Sequence, residues 1–376
     1  MKNPDNLIIR EANQRDVMMD FVRLPYRLYK KDSNWVAPLI FEEKRNLTAK
    51  HNPFLVKNPV VFYVCYKDNN PVGRIAGIIN KVHNELYKDK TGFFGFFESI
   101  NDEVVAEFLF RSAAEWAKKQ GADTLRGPTN FSVNDVAGLL VEGFEEPPFV
   151  LMPYNPSYYE QLYRRNGFSM VMRFFAYKVT QDTIRFPNFV NRMEKRLEEN
   201  NIIIRQIDFK EMGREFGILI DLFNKSWNEN WGFVPFSSEE AVGEFSKVKA
   251  FAKPDLILIA ENKGEPVGFT LALPDINQAL KPVKGRLLPF NWIRLMRNIK
   301  KINQIRVVLM GVLKEQRNKG IDLMFYKKIV ENSRRHNYHR AELSWILESN
   351  QMMNRVLEHI NAKKNKVYGI FEKKIT

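Results

Sequence analysis

The sequence predicts an α/β chain made of two tandem units, and three observations predict it. Leu7-Ile-Ile-Arg10 is echoed by Ile202-Ile-Ile-Arg205, and Pro71-Val-Gly73 by Pro266-Val-Gly268, both at an offset of 195 residues. Around each pair, strand-like and helix-like periodicities follow one another in the same order. A chain of 376 residues is also too long for one typical hydrophobic core.

Taken in order, each half opens on a short apolar strand. Helical segments follow near 13–30 and 209–228, then near 38–50 and 238–252. An apolar strand comes next (60–67; 255–261). It closes through Asp68-Asn-Asn-Pro71 or Asn262-Lys-Gly-Glu-Pro266 into the second strand of a hairpin, as the Asn, Asp, Gly and Pro content of those turns requires. In the first half a helix over 102–120 is expected, with Asn101 as N-cap and acids in its first turn. The halves then diverge. The second carries a basic insertion near 278–304, and the first an extra stretch from Gly127 to Pro148 after its fifth strand. Gly167-Phe168 and Asn361-Ala362 bring the register nearly back. The junction, Thr180 to Asn201, mixes apolar and charged residues and reads as a packed connector with a short helix, not a Gly/Ser tether. The units are therefore 1–180 and 181–376.

Composition narrows the function classes. A hydrophobic share of 44% and an aromatic share of 13% belong to a folded protein. No run of eighteen apolar residues predicts a membrane span, and the first residues lack the apolar stretch of a secretory signal, so a cytoplasmic setting is expected. Cys65 sits inside the apolar strand Val60–Tyr66 and reads as a buried small hydrophobe. Five unclustered histidines predict no metal site.

The net charge of +14 is partly local. Residues 276–306 hold Lys281, Lys284, Arg286, Arg294, Arg297, Lys300, Lys301 and Arg306 and no acid. They interleave with Leu287, Leu288, Phe290, Trp292, Ile293, Leu295, Met296 and Ile299, and read as a helix after Pro289. Such a segment suits an anionic membrane surface, RNA, or a solvated cover over one end of a sheet.

The sharpest local signal is Val308-Leu-Met-Gly-Val-Leu-Lys-Glu-Gln-Arg-Asn-Lys-Gly320-Ile-Asp322, a strand, a basic turn and the start of a helix. A helix N-terminus offers free N–H groups and partial positive charge to a phosphate. Arg317 and Lys319 add mobile charge. The spacing Arg317-x-x-Gly320 resembles the acyl-coenzyme A pyrophosphate loop of the GNAT superfamily of N-acetyltransferases, whose pattern is Gln/Arg-x-x-Gly-x-Gly/Ala. Asp322 stands where that family has a small residue. The repeated order β-α-α-β-β-β-α-β-α-β is similar to the GNAT order over nearly the whole chain. The resemblance implies two tandem GNAT-like units, each a mixed, mostly antiparallel sheet with helices on both faces. The first would be degenerate, lacking the pyrophosphate loop.

The resemblance further implies acetyl-CoA or another acyl-CoA, held by Val312, Leu313, Gln316, Arg317, Asn318, Lys319, Gly320, Ile321 and Asn350. It implies an amine acceptor, small molecule or peptide, acetylated by direct attack. Leu162-Tyr163-Arg-Arg-Asn-Gly167-Phe168 is similar to the family's Leu-Tyr-x-x-x-Gly-Phe, whose tyrosine protonates the departing thiolate. A packed helix tyrosine explains Tyr163 as well, and the second half has Leu357 in that place. For the base, Glu342 and Glu348 are the candidates, on or just beyond the fifth strand of the second half. Ser344 on that strand, and Asn130, Ser132 and Asn134 in the first half's extra loop, are candidate substrate contacts. Glu348 and Asn350 also suit strand-end solvation and helix capping, and the loop residues suit self-satisfied turns. The competing classes are aminoacyl-tRNA-dependent transferases of the Fem type and a non-catalytic acyl-CoA-binding protein.

Overall fold

The computed structural model describes residues 6–237, 243 and 249–375. The chain divides into two compact units: residues 1–173 with 280–292 and 367–376, and residues 174–279 with 293–366.

The first unit opens with β1 (Leu7–Glu11), α1 (Arg15–Leu28), α2 (Ile40–Asn46) and α3 (Pro53–Lys57). The hairpin β2 (Val60–Lys67) and β3 (Asn70–Ile78) follows, then α4 (Lys81–Tyr87), β4 (Thr91–Ser99), α5 (Glu103–Lys119) and β5 (Thr124–Gly127). The extra stretch forms β6 (Thr129–Asn130), β7 (Val136–Ala137) and β8 (Leu139–Glu142), before α6 (Tyr159–Arg165) and β9 (Ser169–Thr180). Helix α5 shows the local logic. Val105, Ala106, Leu109, Phe110, Ala113 and Ala117 recur at helical spacing and are buried, and Lys118 and Lys119 close the last turn. Its cap is Asp102, one residue beyond the expected Asn101. The Asp102 carboxylate accepts from the N–H of Val104 and Val105 at 3.0 and 3.3 Å.

The second half of the chain contains α7 (Phe189–Glu199), β10 (Ile202–Gln206), α8 (Met212–Trp227), β11 (Ile257–Asn262) and β12 (Glu265–Pro274). Then come α9 (Asn277–Leu280), α10 (Asn291–Ile299), β13 (Gln304–Val312), α11 (Ile321–Arg335), β14 (Arg340–Leu347), α12 (Gln351–His359) and β15 (Lys363–Lys374). Most of the helix expected over 238–252 lies outside the described residues.

The repeat holds at the level of hydrogen-bond register. Leu7 pairs with Lys67 as Ile202 pairs with Asn262, and Lys67 faces Asn70 as Asn262 faces Glu265. The irregularity in the first hairpin falls between Cys65 and Tyr66, and in the second between Ala260 and Glu261. All of these correspond at the same offset of 195. Each unit has strands in the order one to five, antiparallel except for a parallel fourth and fifth pair, β4–β5 and β13–β14.

The unit limits depart from the expected break at 180. Residues Phe174–Thr180 of β9 pair with β14 in the second unit, and Phe371–Lys374 of β15 pair with β5 in the first. The last strand of each half thus completes the sheet built by the other half. Strand alternation in β9 and β15 records which faces are buried, but not which fifth strand each will find.

Candidate active site

In the second unit β13 and β14 pair only from Gln304–Arg340 to Val307–Leu343. Beyond that point β13 runs on to Val312 and β14 to Leu347, the latter still paired with β9 but no longer with β13, which leaves a gap between them. The Leu309 carbonyl accepts from Thr270 Oγ1 of β12 at 3.3 Å. By strand alternation, Met310 and Val312 turn their backbone groups the other way, into the gap. Trp227 Nε1 takes the Met310 carbonyl at 2.9 Å, and Arg317 Nε takes that of Val312 at 3.2 Å. Their N–H groups on that edge are the natural donors for a guest laid along β13.

Beside the point of divergence lies a buried ionic cluster. Glu342 is fully buried; its Oε1 accepts from Ser344 Oγ at 2.8 Å, and its Oε2 makes no hydrogen bond with a described residue. Ser344 in turn receives Arg306 Nε at 2.9 Å on its hydroxyl and Nη2 at 3.1 Å on its carbonyl. Lys366 and Asp275, both 1% exposed, complete the electrostatic surroundings. Burial pushes the Glu342 carboxyl up to about 7; Arg306, the Ser344 hydrogen bond and Lys366 pull the other way without cancelling it. Glu342 and Ser344 are the polar residues that the sequence singles out on this strand. It does not single out Arg306: counted among the cations of the basic segment, that residue is 2% exposed and belongs to this cluster. Its position in an apolar strand directly before Val307 was the available signal.

The turn after β13 is shaped by two residues in the left-handed region. Asn318 and Gly320 adopt φ of 63° and 86°, and Gly320 caps α11 without a side chain. A Cβ at Gly320 would strike the Met193 side chain of α7. The cations are partly engaged: Arg317 Nη2 donates to the Ser226 carbonyl at 3.0 Å, Lys319 to Gln316 Oε1 at 2.7 Å, and Lys314 to Glu229 at 2.7 Å. Asp322 accepts from its own N–H and that of Leu323, and burial raises its carboxyl above the ordinary range. Two N–H groups of the first turn of α11, those of Asp322 and Leu323, thus face the chain's own carboxylate. The charge of Arg317 and Lys319 and the left-handed turn at Asn318 and Gly320 are compatible with a phosphate.

The remaining candidates lie elsewhere. Asn350 spends its side chain capping α12, accepting from the Met353 N–H at 3.1 Å. Glu348 lines a cavity of about 520 Å³ together with Phe175, Tyr177, Asn354, Arg355 and Glu358. That cavity lies on the β9 side of β14 and does not contain Glu342. Tyr163 is 1% exposed and packs edge-on against Phe94, Phe97, Phe110 and Phe371, as a core tyrosine of the first unit. Ser132 and Asn134 form a closed turn: the Ser132 N–H and hydroxyl both donate to Asp135, and the Asn134 N–H donates to Ser132 Oγ.

The corresponding gap of the first unit is filled. β4 pairs with β5 only over Thr91–Phe93, and β6 then follows β4. Asn130 Oδ1 accepts the Phe96 N–H at 2.8 Å, and Gly95 leaves room for the Thr129 carbonyl, which a Cβ would strike. The extra stretch after the fifth strand supplies the backbone that lies along β4 there. The Cys65 thiol, which burial pushes up to about 12, has no part in either site.

No protein-family model matches the chain. It is 33% identical over 360 residues to the bacterial ceramide synthase of Caulobacter vibrioides, covering 94% of both chains. It is also 33% identical over 374 residues to protein YghO of Escherichia coli, covering 98% of this chain and 95% of that one. The chain belongs to the family of these two proteins. Its fold is the GNAT fold in tandem. A GCN5-related N-acetyltransferase from Sphaerobacter thermophilus superposes with a TM-score of 0.55 at 13% identity, covering 100% of this chain and 97% of that one. A tandem GNAT protein from the clavulanic acid biosynthesis pathway gives 0.56 at 10% identity, over 98% and 99% of the two chains. Glu342, Ser344 and Arg306 stand beside the point where the fourth and fifth strands of this GNAT-fold unit part.

Proposed function

We propose that the chain is an N-acyltransferase that joins a long acyl group, carried as acyl-CoA, to the amine of a long-chain amino alcohol. The observation that carries the acyl-transfer reading is the buried Glu342 carboxyl, raised to about 7 beside the strand gap. Support for the kind of acceptor comes from one relative: ceramide is an amide, and the name of the Caulobacter protein gives that protein this product class. A long acyl group takes the place of the acetyl group that the sequence resemblance alone implies.

When bound, acyl-CoA supplies an activated thioester. Arg317, Lys319 and the N–H groups of 318–320 are the residues to hold its phosphates, with the Met310 and Val312 N–H groups as donors along β13. Glu342 accepts a proton from the acceptor ammonium, which requires its ionised form, the prevailing one above pH about 7. Ser344 fixes the orientation of that carboxylate by donating to Oε1, and Arg306 fixes Ser344 through both its hydroxyl and its carbonyl. Burial excludes water, so the proton is not lost to solvent before the amine attacks. Tyr163, sealed in the first unit, takes no part.

The test is thiol release and amide formation, followed by a thiol reagent and mass spectrometry, with palmitoyl-CoA or acetyl-CoA against a long-chain amino alcohol, a polyamine, an amino sugar and a peptide. Amide formation on the long-chain amine with palmitoyl-CoA is expected. Turnover confined to acetyl-CoA with the polyamine, sugar or peptide would overturn the lipid assignment, and no turnover with any pair would overturn acyl transfer.

A further inference from the structure

Four large apolar side chains stand out of the protein within nine residues of the basic insertion: Leu288 is 79% exposed, Phe290 74%, Trp292 52% and Met296 57%. A soluble surface gains nothing from such a group, and contiguous exposed apolar residues mark an interaction site. Their backbone is held in place. Asn291 Nδ2 donates to the Arg286 carbonyl at 2.8 Å, the Trp292 N–H donates to Leu287 at 2.9 Å, and Leu295 and Ile299 pack on the core. On α10, Trp292 and Met296 lie one turn apart at one edge of the apolar face, and Leu295 and Ile299 form its other, seated edge. The same segment carries Lys284, Arg286, Arg294, Arg297, Lys300 and Lys301, all exposed and none forming an ion pair with a described residue. The sequence contains no acid from Ile276 to Lys314 to neutralise them.

We propose that residues 284–301 dock the protein on an anionic lipid bilayer. Leu288, Phe290, Trp292 and Met296 would enter the acyl boundary, and the six cations would sit among the headgroup phosphates. Each of those cations contributes near an anionic surface, and the apolar groups add binding that salt does not screen. Charge alone would suit RNA equally. The aliphatic Leu288 and Met296 decide for the bilayer, because neither stacks on a base nor pairs with a phosphate. The inference stands independently of acyl transfer, since its readout is binding.

The experiment is vesicle flotation with the full chain, using phosphatidylcholine alone or with about 30% phosphatidylglycerol, at about 50 and about 300 mM salt. Three variants are compared with the wild type: L288S/F290S/W292S, R294Q/R297Q/K300Q/K301Q, and both sets combined. All changed positions are exposed or at the rim, and circular dichroism confirms that each variant folds. The wild type should float with anionic vesicles and not with neutral ones. Each single set should weaken partition about tenfold or more, and the combined set should abolish it. Failure of the wild type to float at low salt would overturn the proposal. So would full retention by the serine variant, or binding to transfer RNA that is lost with the cations but indifferent to Leu288, Phe290 and Trp292.

Discussion

Glu342→Gln gives a test of the buried cluster that needs no substrate. The Glu342 carboxyl titrates at about 7 in the folded protein, against an ordinary 4.5. That difference, at about 1.36 kcal/mol for each pH unit, amounts to about 3 kcal/mol. Its sign follows from proton uptake. Between about pH 4.5 and about 7 the folded state holds a proton that the unfolded chain has released, so stability is present in full below 4.5 and is lost as pH rises toward 7. Glutamine removes this dependence. It also leaves Arg306 and Lys366 short of a negative partner, a destabilisation that is nearly constant with pH and cancels from the comparison. The stability of the wild type minus that of Glu342→Gln should therefore fall by about 3 kcal/mol between about pH 4 and about pH 8. Urea unfolding followed by tryptophan fluorescence at several pH values measures it. A difference that stays flat would show that Glu342 is solvated or fully compensated. One that rises with pH would show that Arg306 and Lys366 outweigh burial, and would remove Glu342 as a base poised near neutrality.

In activity, wild-type kcat/KM should rise tenfold per pH unit up to about 7 and level off; Glu342→Gln should lose that limb and about 100- to 10,000-fold in rate. Ser344→Ala should keep the limb, displaced upward, because the hydrogen bond that favours the carboxylate is gone. In calorimetry with coenzyme A, Arg317→Ala with Lys319→Ala should cost about 1–3 kcal/mol for each charge-assisted contact, whereas Asp322→Ala should tighten binding about tenfold by freeing the first-turn donors of α11. Unchanged affinity in both would show that the turn holds no phosphate. Tyr163→Phe should leave kcat and KM untouched, while Tyr163→Ala should cost about 3–5 kcal/mol of stability by emptying the aromatic core around it. A large kcat loss in the phenylalanine variant would return Tyr163 to the mechanism.

The sequence by itself determined the repeat, because hydrophobic periodicity and turn chemistry are local. The same two hairpins, at one offset, carry the same register down to the irregularities at Cys65–Tyr66 and Ala260–Glu261. It also determined the strand, basic turn and helix around Gly320, and the polar pair Glu342 and Ser344 on an otherwise apolar strand. What only the tertiary structure decided depends on long-range pairing. β9 and β15 look like the closing strands of their own halves, and nothing in their alternation tells which fifth strand each will meet. The loop after β5 was legible as polar, but that its backbone fills the first gap follows from the path of β6 along β4. Arg306 reads as one more cation in a basic run until the parallel pairing of β13 with β14 buries it against Ser344. Asp322 likewise reads as a misplaced charge until the helix start supplies the two N–H groups it accepts. A side chain's period fixes the face it takes, but its partner, and therefore its ionisation, is set by segments far away in the chain.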